Sequence, residues 1–211
     1  MDIVDHGIEQ YCLEHSQSVD PVLKQLERET HLKTLAPQML SGQLQGQFLR
    51  LVCQMARPKR ILEIGTFTGY SAISMAFGAP DGVRIDTIEA NGELESMIRK
   101  YLGIAGVEDR VTLHIGDALE IIPKLDGPFD FTFIDAAKTD YPSYFEQVIS
   151  KMQSGGFILS DNVLWNGKVL ENEDDAETQT IREYNRMLKN DSRVEVLMLP
   201  IRDGVSIARV I

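Results

Sequence analysis

The pattern of apolar and polar positions changes near residue 58. Before that point, apolar residues recur at helical spacing in three segments, and Pro21 and Pro37 mark helix starts or breaks. After it, short runs rich in β-branched and aromatic residues alternate with helix-like segments. The predicted strands are RILEIG (60–65), VRIDTIE (83–89), VTLHIG (111–116), FDFTFID (129–135) and GFILSD (156–161). The predicted helices are 3–15, 20–33, 43–56, 70–78, 91–103, 117–123, 141–152 and 175–189.

Alternation of strands and helices predicts an α/β fold, in which right-handed βαβ units build a mainly parallel sheet with helices on both faces. The end of the chain differs. RVEVLMLP and GVSIARVI are separated only by IRD, which allows a hairpin but no crossover helix. The last strand should therefore run antiparallel. The acidic run ENEDDAE (171–177) should form a solvated helix start, where carboxylates favour the helix dipole. We expect one domain over 1–211, with a helical part at 1–57 and a Rossmann-like core at 58–211.

Composition and charge narrow the class of protein. The chain has 211 residues, of which 43% are hydrophobic and 25% charged, as in ordinary soluble proteins. A net charge of −11 argues against non-specific binding to nucleic acid or to anionic membranes. The two cysteines are far apart and suggest neither a disulfide framework nor a zinc site. The acidic N-terminus lacks a signal-peptide core, and no apolar run reaches the roughly 18 residues of a membrane span. These features predict a cytoplasmic location.

A tight glycine turn follows the first predicted strand. LEIGTFTGYS (62–71) indicates a strand, a turn and a helix start, and we expect Gly65 and Gly69 to let the backbone approach a ligand. The spacing is GxxxG rather than GxGxxG, which disfavours NAD. Glu89 ends the second strand, where an acid can accept hydrogen bonds from ribose hydroxyls, and GDA (116–118) ends the third. Three such features at successive strand ends favour a nucleoside site, although each alone could be structural.

Oxygen-bearing side chains end the fourth and fifth predicted strands. Asp135 follows one strand, and Asp161 with Asn162 ends the next. Adjacent parallel strands would bring these three donors to one rim. Two carboxylates and an amide suit Mg²⁺, Mn²⁺ or Ca²⁺ and suit zinc or copper poorly. The alternative is that the two aspartates cap helices. Capping would not account for Asn162 beside Asp161, or for Lys138 three residues after Asp135.

EIGTFTGYSA, GDA, FIDAAKTDY and DNVLWNGKV, in this order, resemble the cation-dependent O-methyltransferases of the caffeoyl-CoA and catechol type. The resemblance covers nearly the whole chain. It implies a seven-stranded Rossmann-like sheet with a reversed last strand. It also implies S-adenosylmethionine as methyl donor, S-adenosylhomocysteine as product, a divalent cation that is usually Mg²⁺, and a homodimer.

The resemblance assigns site residues position by position. Its metal ligands match Asp135, Asp161 and Asn162, and its general base matches Lys138. Asn166 matches a substrate contact, and the lone Trp165 either stacks on a planar substrate or anchors packing. The positions that match the donor site are Met39, Ser41, Glu63, Gly65, Thr66, Ser71, Glu89, Asp117 and Ala118, with Asp135 at its edge.

Two departures leave the methyl acceptor open. Ala137 stands where the plant acyl-CoA enzymes have an acid, and Ser206 stands where the animal catechol enzymes carry a substrate-binding Glu. The N-terminal region does not clearly match a CoA-recognising segment. We therefore expect a small phenolic acceptor, either a catechol or a hydroxycinnamoyl compound. The alternatives are a hydroxylated tRNA uridine as acceptor or, further off, a non-catalytic nucleoside-binding protein or an NAD enzyme.

Overall fold

The computed structural model describes residues 3–171 and 175–211. The strands are β1 (Arg60–Ile64), β2 (Arg84–Glu89), β3 (Val111–Ile115), β4 (Phe129–Ile134), β5 (Met152–Asp161), β6 (Val194–Leu199) and β7 (Val205–Val210). The helices are α1 (His6–Glu14), α2 (Pro21–Lys33), α3 (Gly42–Ala56), α4 (Tyr70–Gly78), α5 (Glu95–Ile104), α6 (Ala118–Ile121), α7 (Tyr141–Ile149) and α8 (Ala176–Asn190). Over the ranges described, no helix is both long and apolar enough to cross a membrane.

All seven strands form one sheet in the order β3-β2-β1-β4-β5-β7-β6. Strands β1 to β5 are parallel, and β7 lies antiparallel between β5 and β6. The predicted α/β class and the reversed last strand are confirmed. Helix α8 begins after Asp175, whose carboxylate accepts a hydrogen bond from the Thr178 backbone N–H. Residues 172–174 of the acidic run lie outside the described residues.

Three predicted boundaries were wrong. The helix expected at 117–123 is α6, which ends at Ile121 and continues only as a single 3-10 turn, because Pro123 cannot extend an α-helix. Strand β5 starts earlier than expected, at Met152, which pairs with Phe129 before the register shifts between Phe129 and Phe131. Helix α7 accordingly ends at Ile149.

The apolar core consists of two clusters, one on each face of the sheet. Strand β1 supplies both, since Ile61 belongs to one cluster and Leu62 and Ile64 to the other. Leu26 of α2 and Leu49 of α3 are fully buried in the first cluster. These two N-terminal helices are therefore part of the core that supports the sheet. Helix α1 differs, because none of its residues is buried.

Gly65 contacts the protein's own backbone. Its φ is +96°, and a Cβ at this position would lie 1.9 Å from the Asp135 carbonyl oxygen. The Asp135 backbone N–H donates to the carbonyl of Ile64 at 2.8 Å, which holds the end of β4 against the end of β1. The expected close approach exists, but the group that Gly65 approaches in the structure is the Asp135 backbone.

We expect Gly65→Ala to destabilise the protein more than Gly82→Ala. Both positions have positive φ, but a Cβ at Gly82 meets nothing within 4 Å. The strained backbone alone should cost Gly82→Ala about 1–2 kcal/mol. The clash should cost Gly65→Ala roughly 1–3 kcal/mol more. Urea unfolding of both variants measures the difference, and equal losses would show that the β1–β4 junction relaxes freely.

Candidate active site

Lys138 connects the ends of β4 and β5. It begins a 3-10 turn, Lys138–Asp140, and is only 8% exposed. Its Nζ donates to Asp135 Oδ1 at 3.0 Å and to the Tyr141 hydroxyl at 2.8 Å. The Tyr141 hydroxyl in turn donates to the Asp161 carbonyl at 3.0 Å. The structure thus brings Asp135, Lys138 and Asp161 together, and a solvated surface position for Lys138 is excluded.

Asp161 is a buried carboxylate with an unmet hydrogen-bonding need. Desolvation raises its pKa to about 7, the charge of Asp135 adds to the rise, and Gln45, Lys138 and the Asn162 N–H oppose it. Its Oδ1 has no hydrogen-bond partner among the described residues. A divalent cation would satisfy that oxygen and neutralise both carboxylates, so the residues present fit a cation.

The candidate cation set depends on an amide as its third donor. Within the described ranges, no group of three or more His, Cys, Asp or Glu side chains could hold a metal ion. The set is Asp135, Asp161 and Asn162, in which the amide oxygen of Asn162 completes two carboxylates. Its role as a metal site stays a prediction.

The loop after β5 is held by the β6–β7 turn. The backbone N–H groups of Val163 and Leu164 donate to the carbonyls of Gly204 and Asp203, at 3.2 and 2.9 Å. The Asp203 carboxylate accepts hydrogen bonds from the Asn162 side chain, at 3.3 Å, and from the Asn166 backbone N–H. Asn162 and Asn166, predicted as metal ligand and substrate contact, therefore lie at one carboxylate.

Trp165 belongs to the same loop. Its ring packs at the margin of the second apolar cluster. Its Nε1 is buried, without a hydrogen-bond partner in the described part of the chain. The packing favours the anchoring alternative for Trp165, and its role as a substrate contact stays a prediction.

Six of the residues predicted for the methyl-donor site lie in or directly after β1, β2 and β3, namely Glu63, Gly65, Thr66, Glu89, Asp117 and Ala118. Glu89 Oε2 accepts from the Phe67 N–H at 2.7 Å, and Oε1 accepts from the Asn91 N–H at 2.8 Å. Asp117 caps α6 through the Leu119 N–H at 2.8 Å, and Ala118 behind it is buried. Open α/β sheets bind ligands beyond these strand ends.

Glu63 is fully enclosed beneath the glycine turn. Its Oε2 accepts a hydrogen bond from the Thr87 hydroxyl, which also contacts the hydroxyl of Thr66. Desolvation raises the pKa of Glu63 to about 8, while hydrogen bonds from Ser71 and Thr87 lower it, and the charges of Asp135 and Glu89 add smaller increases. Glu63 therefore stabilises the glycine turn from inside the protein, through its hydrogen bond with Ser71 and through Thr87, which contacts Thr66.

Met39 and Ser41 approach the site from the N-terminal side. Met39 ends a 3-10 turn and is exposed, whereas Ser41 is buried at the start of α3. Arg202, in the β6–β7 turn, donates to the Ser41 carbonyl and, at 2.8 Å, to Gln45 Oε1. The same turn holds Asn162 and Asn166 through Asp203, so it joins the predicted methyl-donor residues to the predicted cation side.

Sequence reasoning missed four residues of this arrangement: Gln45, Tyr141, Arg202 and Asp203. Tyr141 follows Lys138 by three residues, a helical spacing that could have indicated contact. The other three carry no local signal, because they reach the site only when the β6–β7 turn and α3 pack against β5.

A cavity of about 450 Å³ adjoins Asn162 and Asn166. Leu44, Gln45 and the turn at 200–203 form part of its wall. The N-terminal segment supplies the rest, through Ile3, Val4, His6, Glu9 and Cys12. A larger open depression of about 570 Å³ lies around Arg57 and Asp81, away from every predicted site residue.

Comparison with known proteins agrees with this fold. A family model described as O-methyltransferase matches residues 13–211. Caffeoyl-CoA O-methyltransferase 1 of Eucalyptus globulus is 36% identical over 177 residues, which cover 78% of this chain and 72% of that protein. Catechol O-methyltransferase of Niastella koreensis is 37% identical over 174 residues, covering 78% and 79%. The solved O-methyltransferase of Bacillus cereus, in complex with SAH, has a TM-score of 0.90 at 32% identity and covers 97% of each chain.

The sheet order, with its reversed last strand, and the glycine turn after β1 define a Rossmann-like methyltransferase. The chain belongs to the O-methyltransferase family that the model describes, and the predicted enzyme class is confirmed.

We expect Glu63→Gln to remove a pH dependence of stability. Because the folded-state pKa of about 8 exceeds the ordinary glutamate value of 4.5, the folded state holds a proton that the unfolded state releases between these two pH values. The free energy of unfolding should therefore fall by a few kcal/mol as pH rises from about 5 to about 8. The glutamine mimics the protonated acid and should resist this fall. Urea unfolding across this range measures it, and parallel curves for the two proteins would contradict the buried, protonated state.

Proposed function

We propose that this enzyme transfers a methyl group from S-adenosylmethionine to a hydroxyl of a compact phenolic or catechol acceptor, with the help of a divalent cation. The observation that carries the proposal is the junction at β4 and β5. There, a buried lysine contacts one of two neighbouring carboxylates, and an asparagine follows the second in the chain. A buried lysine beside two carboxylates can activate a hydroxyl for reaction. Burying charged groups destabilises the fold, so clusters of this kind are typical of functional sites.

The proposed donor site is the glycine turn with Glu89, Asp117 and Ala118. The Bacillus cereus relative was solved in complex with SAH, and it aligns over 97% of this chain. Thr66, Ser71 and Glu63 support the turn from below, and Met39 with Ser41 would close it from the α3 side. The GxxxG spacing continues to disfavour NAD.

Methyl transfer from a sulfonium is an in-line displacement that needs an ionised hydroxyl. A phenol, with a pKa near ~10, is mostly protonated at neutral pH. A divalent cation held by Asp135, Asp161 and Asn162 would favour the phenolate of an acceptor bound beside it. The residues around it then position the reactants. Lys138, held by Asp135 and Tyr141, would take the hydroxyl proton in its neutral amine form, which the positive charge of a neighbouring cation favours.

The cavity beside Asn166 is the proposed acceptor site. Its wall combines apolar side chains, such as Leu44 and Ile201, with the acids Glu9 and Asp203. Arg202 also lines it, but its guanidinium is engaged with Leu40, Ser41 and Gln45. A wall of this kind favours an uncharged phenol over a polyanionic acceptor. This weighs against a CoA ester and against the tRNA alternative.

A homodimer and a cytoplasmic location complete the proposal. Exposed apolar side chains lie on α1, at Ile8 and Tyr11, and on α3, at Leu51 and Met55. Burying these side chains against a second copy of the chain would remove apolar area from water, so we propose that copy as the partner. The single-domain boundaries stay a prediction as well.

The test of function is a donor-dependent methylation assay. Catechols, hydroxycinnamates, their CoA esters and undermodified tRNA serve as acceptors, with Mg²⁺ or with excess EDTA. We expect turnover of a small catechol that EDTA abolishes and Mg²⁺ or Mn²⁺ restores. Asp161→Ala should lose this activity yet bind S-adenosylhomocysteine normally in calorimetry, because Glu89 and the glycine turn lie on other strands. Full turnover in EDTA would exclude a role for the cation. Methylation of tRNA and of none of the small phenols would show that the acceptor is tRNA.

We expect Lys138→Ala to damage chemistry rather than binding. Loss of a general base should lower kcat by ~10²–10⁴ with little change in donor affinity. Lys138→Arg should not restore the rate, since a guanidinium keeps its proton. The defect should shrink for nitrocatechols, which ionise more readily. Lys189→Ala, at an exposed position of α8, is the matched control. A normal rate for Lys138→Ala with an ordinary catechol near neutral pH would leave the cation as sole activator.

A further inference from the structure

The turn between β6 and β7 places one carboxylate against two residues of the proposed site. Asp203 Oδ2 accepts a hydrogen bond from Asn162 Nδ2 at 3.3 Å, and Oδ1 accepts one from the Asn166 backbone N–H. Asn162 and Asn166 both have positive φ, at 56° and 52°. Non-glycine residues adopt this conformation at a cost, so specific contacts must hold them there.

The Asp203 side chain is not needed to attach the loop to the turn. The backbone N–H groups of Val163 and Leu164 already bind the carbonyls of Gly204 and Asp203. Leu164 also covers Gly204 so closely that a Cβ there would lie 2.4 Å from its Cγ. The Asp203 carboxylate therefore has a role other than attaching the loop to the turn.

The carboxylate decides which way the Asn162 amide faces. An ionised carboxylate accepts hydrogen bonds and donates none, so it selects the NH₂ group of a neighbouring amide. A half-turn of the amide would set its oxygen against Asp203 and lose the bond. With Nδ2 directed to Asp203, Oδ1 is left for a different partner.

We propose that Asp203 is a positioning residue, which orients the Asn162 amide so that its oxygen is presented to a divalent cation. The inference rests on the proposed cation site and adds a residue that no resemblance assigned. Groups that hydrogen-bond to metal ligands in this way set the orientation of the ligand, and losing one typically weakens metal binding by about 10–100-fold. The same carboxylate fixes the backbone of Asn166 beside the acceptor cavity.

The test is a double-mutant cycle on Mn²⁺ affinity, measured by electron paramagnetic resonance without donor or acceptor. The single variants are Asp203→Asn and Asn162→Asp. Asp203→Asn leaves one acceptor oxygen for two donors, the Asn162 side chain and the Asn166 backbone N–H. The Asn162 amide then loses its fixed orientation, so Mn²⁺ should bind at least ~10-fold more weakly. In the Asn162→Asp background, the new amide at position 203 can donate to the carboxylate at 162 and still accept from the Asn166 N–H. There, Asp203→Asn should leave the affinity unchanged or tighten it.

The outcomes separate the inference from its foundation. If Asp203→Asn weakens Mn²⁺ binding equally in both backgrounds, Asp203 acts only through its charge or the fold, and the inference is wrong. If the unmodified protein binds no Mn²⁺, the cation site itself fails. Glu195→Gln removes one negative charge from an exposed position on β6, as Asp203→Asn does near the site. It therefore controls for the effect of net charge on Mn²⁺ binding. Unchanged S-adenosylhomocysteine affinity and an unchanged melting temperature show that the variants fold.

Discussion

The contact between the backbones of β1 and β4 is the constraint on which the site depends. The strand order reverses at β1, so the chain segments leaving β1 and β4 diverge and open a crevice between them. Gly65 lets these segments touch at the Asp135 carbonyl. The proposed donor turn and the first proposed metal ligand therefore share one junction. In the proposed arrangement, main-chain packing at this junction would set the distance between the methyl donor and the acceptor hydroxyl.

A second junction closes the site from the opposite side. Arg202 holds the segment before α3, and Asp203 holds the loop after β5. These adjacent residues belong to the turn between the last two strands, which explains why the sheet ends in an antiparallel hairpin at this edge. A parallel crossover would carry the chain to the other end of the sheet. The reversed strand instead delivers a turn to the same edge as the carboxyl end of β5.

The sequence predicted the parts of this molecule that depend on local pattern. Alternation of strand and helix segments gave the sheet, and the three residues between the last strands gave the hairpin. The meeting of Asp135 with Asp161 followed from two strand ends being neighbours. Gly65 shows the limit, because a glycine turn looks the same whether the backbone approaches a ligand or another strand. The roles of Asp203 and Gln45 could not be predicted, because their partners are far away along the chain. The local spacing of apolar and polar residues carries no information about such contacts.

Helix α1 forms one wall of the proposed acceptor cavity yet buries none of its own residues. Replacing its side chains therefore removes little of the apolar contact that stabilises the fold. Substitutions on the cavity-facing side of α1 should lower the free energy of unfolding little. Substitutions at the ends of β4 and β5 should lower it more. If this cavity holds the acceptor as proposed, libraries varied at His6, Glu9 and Cys12 would change acceptor choice at little cost in stability.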